Sequence, residues 1–425
     1  MSSKVRYYME LSVPELDDLN KKGLFDRKEI TMIMRRRTDY EYRIQGRGSK
    51  PRDYLKYAEF EISLEKLRIK RYQRLKTVDM VDTKPSISDW AGFRKIVFVF
   101  DRAVKRYPGD LEIWSRYLQF VKDKDAVKVV YRVYAKLLLL QPRNVDAWLL
   151  AAKYEFDVNA NAKGARDLYQ RALRMNPESF KLWLSYAQFE LAYVLKLLAR
   201  RKVMGLLTEK QQKDDLAAQE SEFQKRKEKS TDGVSGNDDM VTLNDVDGDE
   251  LRSELALLPE ADISVLGNPD SNPVLKGDIA LTIFDLCIPE LLQGVASNLK
   301  EDKVFEIAND FLDMFEKFPT LNREYLYHHI LRYLQTNYAG NIRTATIDIT
   351  LTLRGISVGD ADLAENLQLS VNKFNAYKAK AKSDAEKKAL TDFYINYLED
   401  NFVNSPEEKL DRVVMLLKAI IQKCR

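Results

Sequence analysis

Few residues in this chain have the types and spacing that chemistry requires. His328 and His329 are the only histidines in 425 residues. As neighbours on a helix they diverge by about 100°, so they cannot readily share a metal ion. The stretch DVDGDE, Asp245 to Glu250, has the composition of a calcium loop. Placing Gly248 at the sixth loop position puts Leu243 where the first oxygen ligand belongs, and the loop fails. GRG at Gly46 to Gly48 is too short for a phosphate loop and lacks the following Lys-Ser/Thr. Cys287 and Cys424 have no CxxC partner, which points to a reducing compartment. Glu155 and Arg166 could be an acid/base couple, but an ion pair between the two helices of one hairpin is the expectation. With no convergent nucleophile, base or metal set, neither enzyme chemistry nor a cofactor is expected. One cluster remains: Arg35, Arg36, Arg37, Arg43 and Arg47. Crowded cations release counterions from RNA, yet TDYEYR interleaves acids with them, and an acidic protein partner or a solvated face explains the run as well.

The elements that must carry these residues are helical and repetitive. Pro108, Pro142 and Pro177 are spaced by 34 and 35 residues, and Trp114, Trp148 and Trp183 each follow a proline by six. Tyr117, Ala151 and Tyr186 come three residues later, and Phe120, Tyr154 and Phe189 six later, giving one buried stripe on a helix. Eight residues before each proline stands Phe100, Tyr134 or Tyr169, the mark of a second helix that the proline ends. Tyr54, Tyr57, Phe60 and Glu61 form an earlier copy, so the array is expected to begin near Lys50 and to supply four antiparallel helix pairs by Arg200. Trp114, Trp148, Trp183, Tyr117, Tyr154, Tyr186 and Phe189 are its expected core, though their rings could also stack bases.

A period of 34 or 35 residues with two helices per unit predicts an all-α solenoid of helical hairpins. Tetratricopeptide repeats want a glycine four residues after the tryptophan, where this chain has Leu118, Ala152 and Ala187. Glu61, Glu155 and Glu190 after the aromatic, and the run Ala165, Arg166, Tyr169, Arg171, Ala172, Leu173, resemble instead the half-a-tetratricopeptide (HAT) repeat of RNA-processing assemblies. Val121 stands in the glutamate place of the unit headed by Trp114.

Net charge is +4 overall but uneven. Residues Met1 to Lys76 carry a net +8, and Ser230 to Glu260 a net −8. The expected organisation is an N-terminal basic helical arm over 1–49, HAT repeats over 50–204, an acidic and disordered linker over 205–275, and degenerate HAT-like repeats over 276–425. In the last region, Pro319 sets Phe311, Tyr325, His328 and Leu331 in the repeat register, and Pro406 opens a final helix. No apolar run reaches the roughly 18 residues of a membrane helix, and MSSKVRYYMELSVPEL lacks a secretory core.

The N-terminal stretch narrows the reading. The RYY of Arg6 to Tyr8, SVPEL of Ser12 to Leu16, KKGLF of Lys21 to Phe25 and TDYEYR of Thr38 to Arg43 resemble the leading domain of the U3 small nucleolar RNA-associated protein 6 family. This is the HAT-repeat subunit of the UtpB subcomplex of the small-subunit processome. The resemblance implies a non-catalytic nucleolar scaffold that assembles with the WD-repeat β-propeller subunits of UtpB. It also implies association with the U3 snoRNP and pre-rRNA, directly or through partners, in making 18S rRNA for the small ribosomal subunit. HAT arrays also serve pre-mRNA splicing and 3′-end processing, where a direct RNA-binding protein is the alternative.

Overall fold

The computed structural model describes residues 3–77, 85–203, 272–356, 363–381 and 383–403, with the single positions 419 and 422. Among them every regular element is helical and none is a strand. In chain order the helices are α1 (Ser3–Glu10), α2 (Val13–Lys21), α3 (Arg27–Gln45), α4 (Pro51–Thr77), α5 (Ser88–Arg106), α6 (Leu111–Asp123) and α7 (Val127–Leu140). Then come α8 (Val145–Asp157), α9 (Ala162–Met175) and α10 (Phe180–Val203), and, after the single turn Pro273–Lys276, α11 (Asp278–Leu291), α12 (Ser297–Glu316) and α13 (Arg323–Asn337). The last are α14 (Ile342–Thr350), α15 (Leu363–Lys380) and α16 (Asp384–Leu398). The acidic run Ser230 to Glu260 and the helix expected after Pro406 lie outside the described residues. Contacts divide the chain into two compact units, Met1–Ala147 and Trp148–Arg425, with the division inside α8.

Short polar residues cap several of the helices. Asp26 and Glu29 form a capping box at α3, Glu29 accepting from the Asp26 amide at 3.0 Å. Asp110 caps α6 and Asn161 caps α9. The packing between hairpins then repeats an aromatic stack. Tyr40 lies on Tyr57 with centroids 5.2 Å apart, Phe100 on Tyr117 at 5.0 Å, and Tyr169 on Tyr186 at 5.3 Å. All three pairs have the same sequence separation, and offset ring contacts of this kind add to what burial contributes.

The prolines do more than end helices. Trp114 Nε1 donates to the Pro108 carbonyl at 2.9 Å, and Trp183 Nε1 to that of Pro177 at 2.9 Å. A carbonyl just past a helix end has no intrahelical donor, and the indole six residues on supplies one. Trp114, Tyr117, Trp148, Tyr154, Trp183, Tyr186 and Phe189 are all buried.

Three expectations are corrected. The array does not begin at Lys50: Tyr40 places α3 in the register of a second helix, so residues 27–45 belong to the repeats rather than to a separate arm. Lys50 to Arg200 does not contain four complete pairs. α10 is a first helix, and the helix packed most extensively along it is α11, on the far side of residues 204–271. In α13 the Pro319 register fails. Tyr325 and His328 are exposed, and the buried positions are Leu326, Tyr327, Ile330, Leu331 and Leu334.

Candidate functional site

The arginine cluster divides by helix geometry. On α3 the buried positions are Ile33, Arg37, Glu41 and Ile44, one stripe of a helical period. Arg37 has no exposed surface. Its guanidinium forks onto Glu61, with Nε and Nη2 each 2.8 Å from a carboxylate oxygen, and reaches Glu15 at 3.2 Å. Burial alone would lower its pKa, but the two carboxylates outweigh burial and raise it. Arg37 is therefore removed from the candidate phosphate contacts: it is a core ion-pair residue, and its charge is spent.

Arg35, Arg36, Arg43 and Arg47 remain exposed. With Lys28, Arg35, Arg36 and Arg43 make the outer face of α3 cationic, Arg47 follows just past the helix end, and Asp39 is the acid among them. Met32 and Tyr42 are exposed on the same face, and Arg36 lies 5.8 Å from the Phe60 ring centroid. Cations interspersed with an open aromatic ring can hold a phosphate backbone and stack a base. The same face can equally meet an acidic protein surface.

Beneath it lies a network the sequence reading missed. Arg102 forks onto Glu41 at 2.8 and 2.9 Å, its guanidinium 4.8 Å from the Tyr8 ring. Arg68 holds Glu65 and also reaches Asp89. A Cβ at Gly92 would run into the Glu65 carboxylate, so a larger residue there would push Glu65 out of its place beside Arg68. The available signal was the spacing 33, 37, 41, 44, which sets Arg37 and Glu41 between two isoleucines.

The expected Glu155–Arg166 pair does not form. Arg166 forks onto Glu190 with two contacts of 2.7 Å, while Glu155 accepts from the side chains of Asn159 and Asn161. Arg37–Glu61 and Arg166–Glu190 share one separation, so the ion pair joins the second helix of one hairpin to the first helix of the next. The histidines part company, His329 facing Asp285 at 3.0 Å and His328 facing Glu324 at 3.5 Å. Among the described residues no group of three His, Cys, Asp or Glu could hold a metal ion, and no helix is long and apolar enough to cross a membrane.

Comparison with known proteins places this architecture. Residues 9–95 match the family model for U3 small nucleolar RNA-associated protein 6, and residues 94–213 that for the PRP39 N-terminal HAT repeat. The U3 small nucleolar RNA-associated protein 6 of Schizosaccharomyces pombe is 35% identical over 285 residues, which is 67% of this chain and 53% of that protein. The homolog of Homo sapiens is 30% identical over 46% of this chain and 32% of its own length. Human crooked neck-like protein 1 is 28% identical over 24% of this chain and 14% of its own length. The match thus spans about half or less of each relative. The repeat register, the leading-domain motifs and these matches agree: the chain belongs to the U3 small nucleolar RNA-associated protein 6 family.

Proposed function

We propose that the chain is a non-catalytic scaffold of ribosome biogenesis in the nucleolus, a HAT-repeat subunit of the U3-associated pre-ribosomal particle. In this reading it joins the WD-repeat β-propeller subunits of UtpB and supports pre-rRNA processing towards 18S rRNA. The relatives' names, which speak of U3 small nucleolar RNA association, support the setting. The observation that carries the scaffold reading is where the charge goes. The buried charges Arg37, Glu41, Glu61, Arg68 and Glu190 are tied up in joints between helices, whereas the surplus cations lie on exposed faces. Such an array suits holding partners on its surface.

The test compares the parent with Arg35→Glu, Arg36→Glu, Arg43→Glu together, leaving Arg37 in place. Propeller association should reconstitute without RNA and survive nuclease. RNA affinity should be weak, fall steeply with salt, and drop further in the triple variant. Tight RNA binding at physiological salt, with propeller partners lost on nuclease treatment, would overturn the scaffold reading in favour of a direct RNA-binding HAT protein.

A further inference from the structure

A cavity of about 420 Å³ opens between α1, the start of α2 and α5, away from the cationic face of α3. Its mouth is apolar and open to solvent: Leu11 is 61% exposed, Ile87 49%, Trp90 43% and Phe98 42%. Tyr7 and Val13, exposed as well, neighbour this rim in sequence. Large side chains left in water together, around a concavity, mark an interaction site more often than chance.

Two polar groups in its wall are under-satisfied. Tyr57 is fully buried and its hydroxyl has no hydrogen-bond partner among the described residues, a deficit that costs free energy unless something supplies an acceptor. Lys95, on the same wall, donates to the Ser12 hydroxyl, and no carboxylate of the described residues lies within ion-pair distance of its Nζ. Burial, then the neighbouring Arg37 charge, push the Lys95 ammonium down to about 8, against the pull of Glu61, Glu15 and Glu41. The acids that line the cavity are already held, Glu15 by Arg37 and Glu41 by Arg102. Arg94 stacks on the Trp90 ring at 4.3 Å and puts a second cation at the rim.

We propose that this cavity docks a peptide segment of a partner protein, which inserts an apolar side chain among Leu11, Trp90 and Phe98 and sets a neighbouring carboxylate against Lys95, with Arg94 as the second cation at the rim. A small molecule that filled the cavity would leave the apolar rim in water; a peptide covers both. A nucleic acid strand would find Trp90 to stack on but a mostly apolar, not cationic, surround. The inference stands on this geometry alone and does not depend on the pre-ribosomal reading.

The test uses the full chain and an immobilised array of peptides of about twelve residues, each with one Asp or Glu among Leu, Ile, Phe and Trp. A matched array carries Lys in place of the acid. Binding should select acidic members. Lys95→Met and Trp90→Ala should each weaken the best peptide by about tenfold or more. Lys95→Met should at the same time leave the melting temperature of the free protein at pH 7 unchanged or higher, because burial already disfavours its charge. That separates a docking role from a folding role. Equal binding of the lysine peptides, no binding to either array, or unchanged affinity in Lys95→Met would overturn the proposal. So would a lower melting temperature in Lys95→Met at pH 7, which would mean that the side chain serves the fold. Displacement of the peptide by oligouridine would reassign the cavity to RNA.

Discussion

The joint between α3 and α4 and the joint between α5 and α6 occupy the same place in the repeat and are built from opposite materials. In the first, Arg37 and Glu61 meet as a buried ion pair with Glu15 as a third member. In the second, the corresponding positions are Val97 and Val121, both buried. Yet Tyr40 stacks on Tyr57 much as Phe100 stacks on Tyr117. The aromatic stack is therefore common to these two joints, and the ionic pair is one way to fill the slot beside it. Burying charge costs desolvation that a good pair roughly repays, so the ionic version adds little net stability over an apolar one.

Removing one partner should have the largest effect. Glu61→Ala leaves the buried Arg37 guanidinium with only the longer Glu15 contact and should destabilise the protein by about 3 kcal/mol or more, read by denaturant unfolding. A loss under about 1 kcal/mol would mean that Arg37 escapes to solvent. Converting the whole ionic slot to the apolar kind sharpens the contrast. Arg37→Met, Glu61→Leu and Glu15→Leu together should come within about 2 kcal/mol of the parent, far above the single variant. A triple variant as unstable as Glu61→Ala would show that the two joints are not interchangeable. Trp183→Phe keeps an aromatic ring but drops the donor to Pro177, and should cost roughly 1 to 2 kcal/mol in the second unit. The smallest effect concerns Lys95. Its pKa in the folded protein lies below that of the unfolded chain, so the unfolded chain binds more protons between about pH 8 and 10.5, and stability rises with pH there. Lys95→Met should therefore be more stable than the parent at pH 7, and the gap should close as pH rises through that window. A gap that widens would give the shift the wrong sign.

Much of the fold was legible because prolines and tryptophans are placed by one backbone event, the turn between hairpins, which repeats at a fixed period. α3 was hidden because Gly48 stands where that register calls for a proline, and the basic run drew attention to its charge instead of its period. Arg37 looked like its neighbours Arg35 and Arg36 because composition weighs all three equally, whereas a helix sends them to different faces. The partner of Arg166 was misjudged because the reading stayed inside one hairpin, when the pair bridges two. Tyr57 and Lys95 were invisible as a pair: nothing in sequence spacing marks a hydroxyl that finds no acceptor.

The indole-to-proline hydrogen bonds also give the molecule two built-in reporters. Trp114 lies in one compact unit and Trp183 in the other, and each indole proton can exchange with solvent only when its own turn opens. In the amide and indole region of a nuclear magnetic resonance spectrum these two protons should outlast that of Trp90, which is exposed and donates only to Ser86 within its own turn. If the Trp114 and Trp183 protons exchange at one common rate under all conditions, the units open together; two rates that respond separately to denaturant would show that the array breathes in sections.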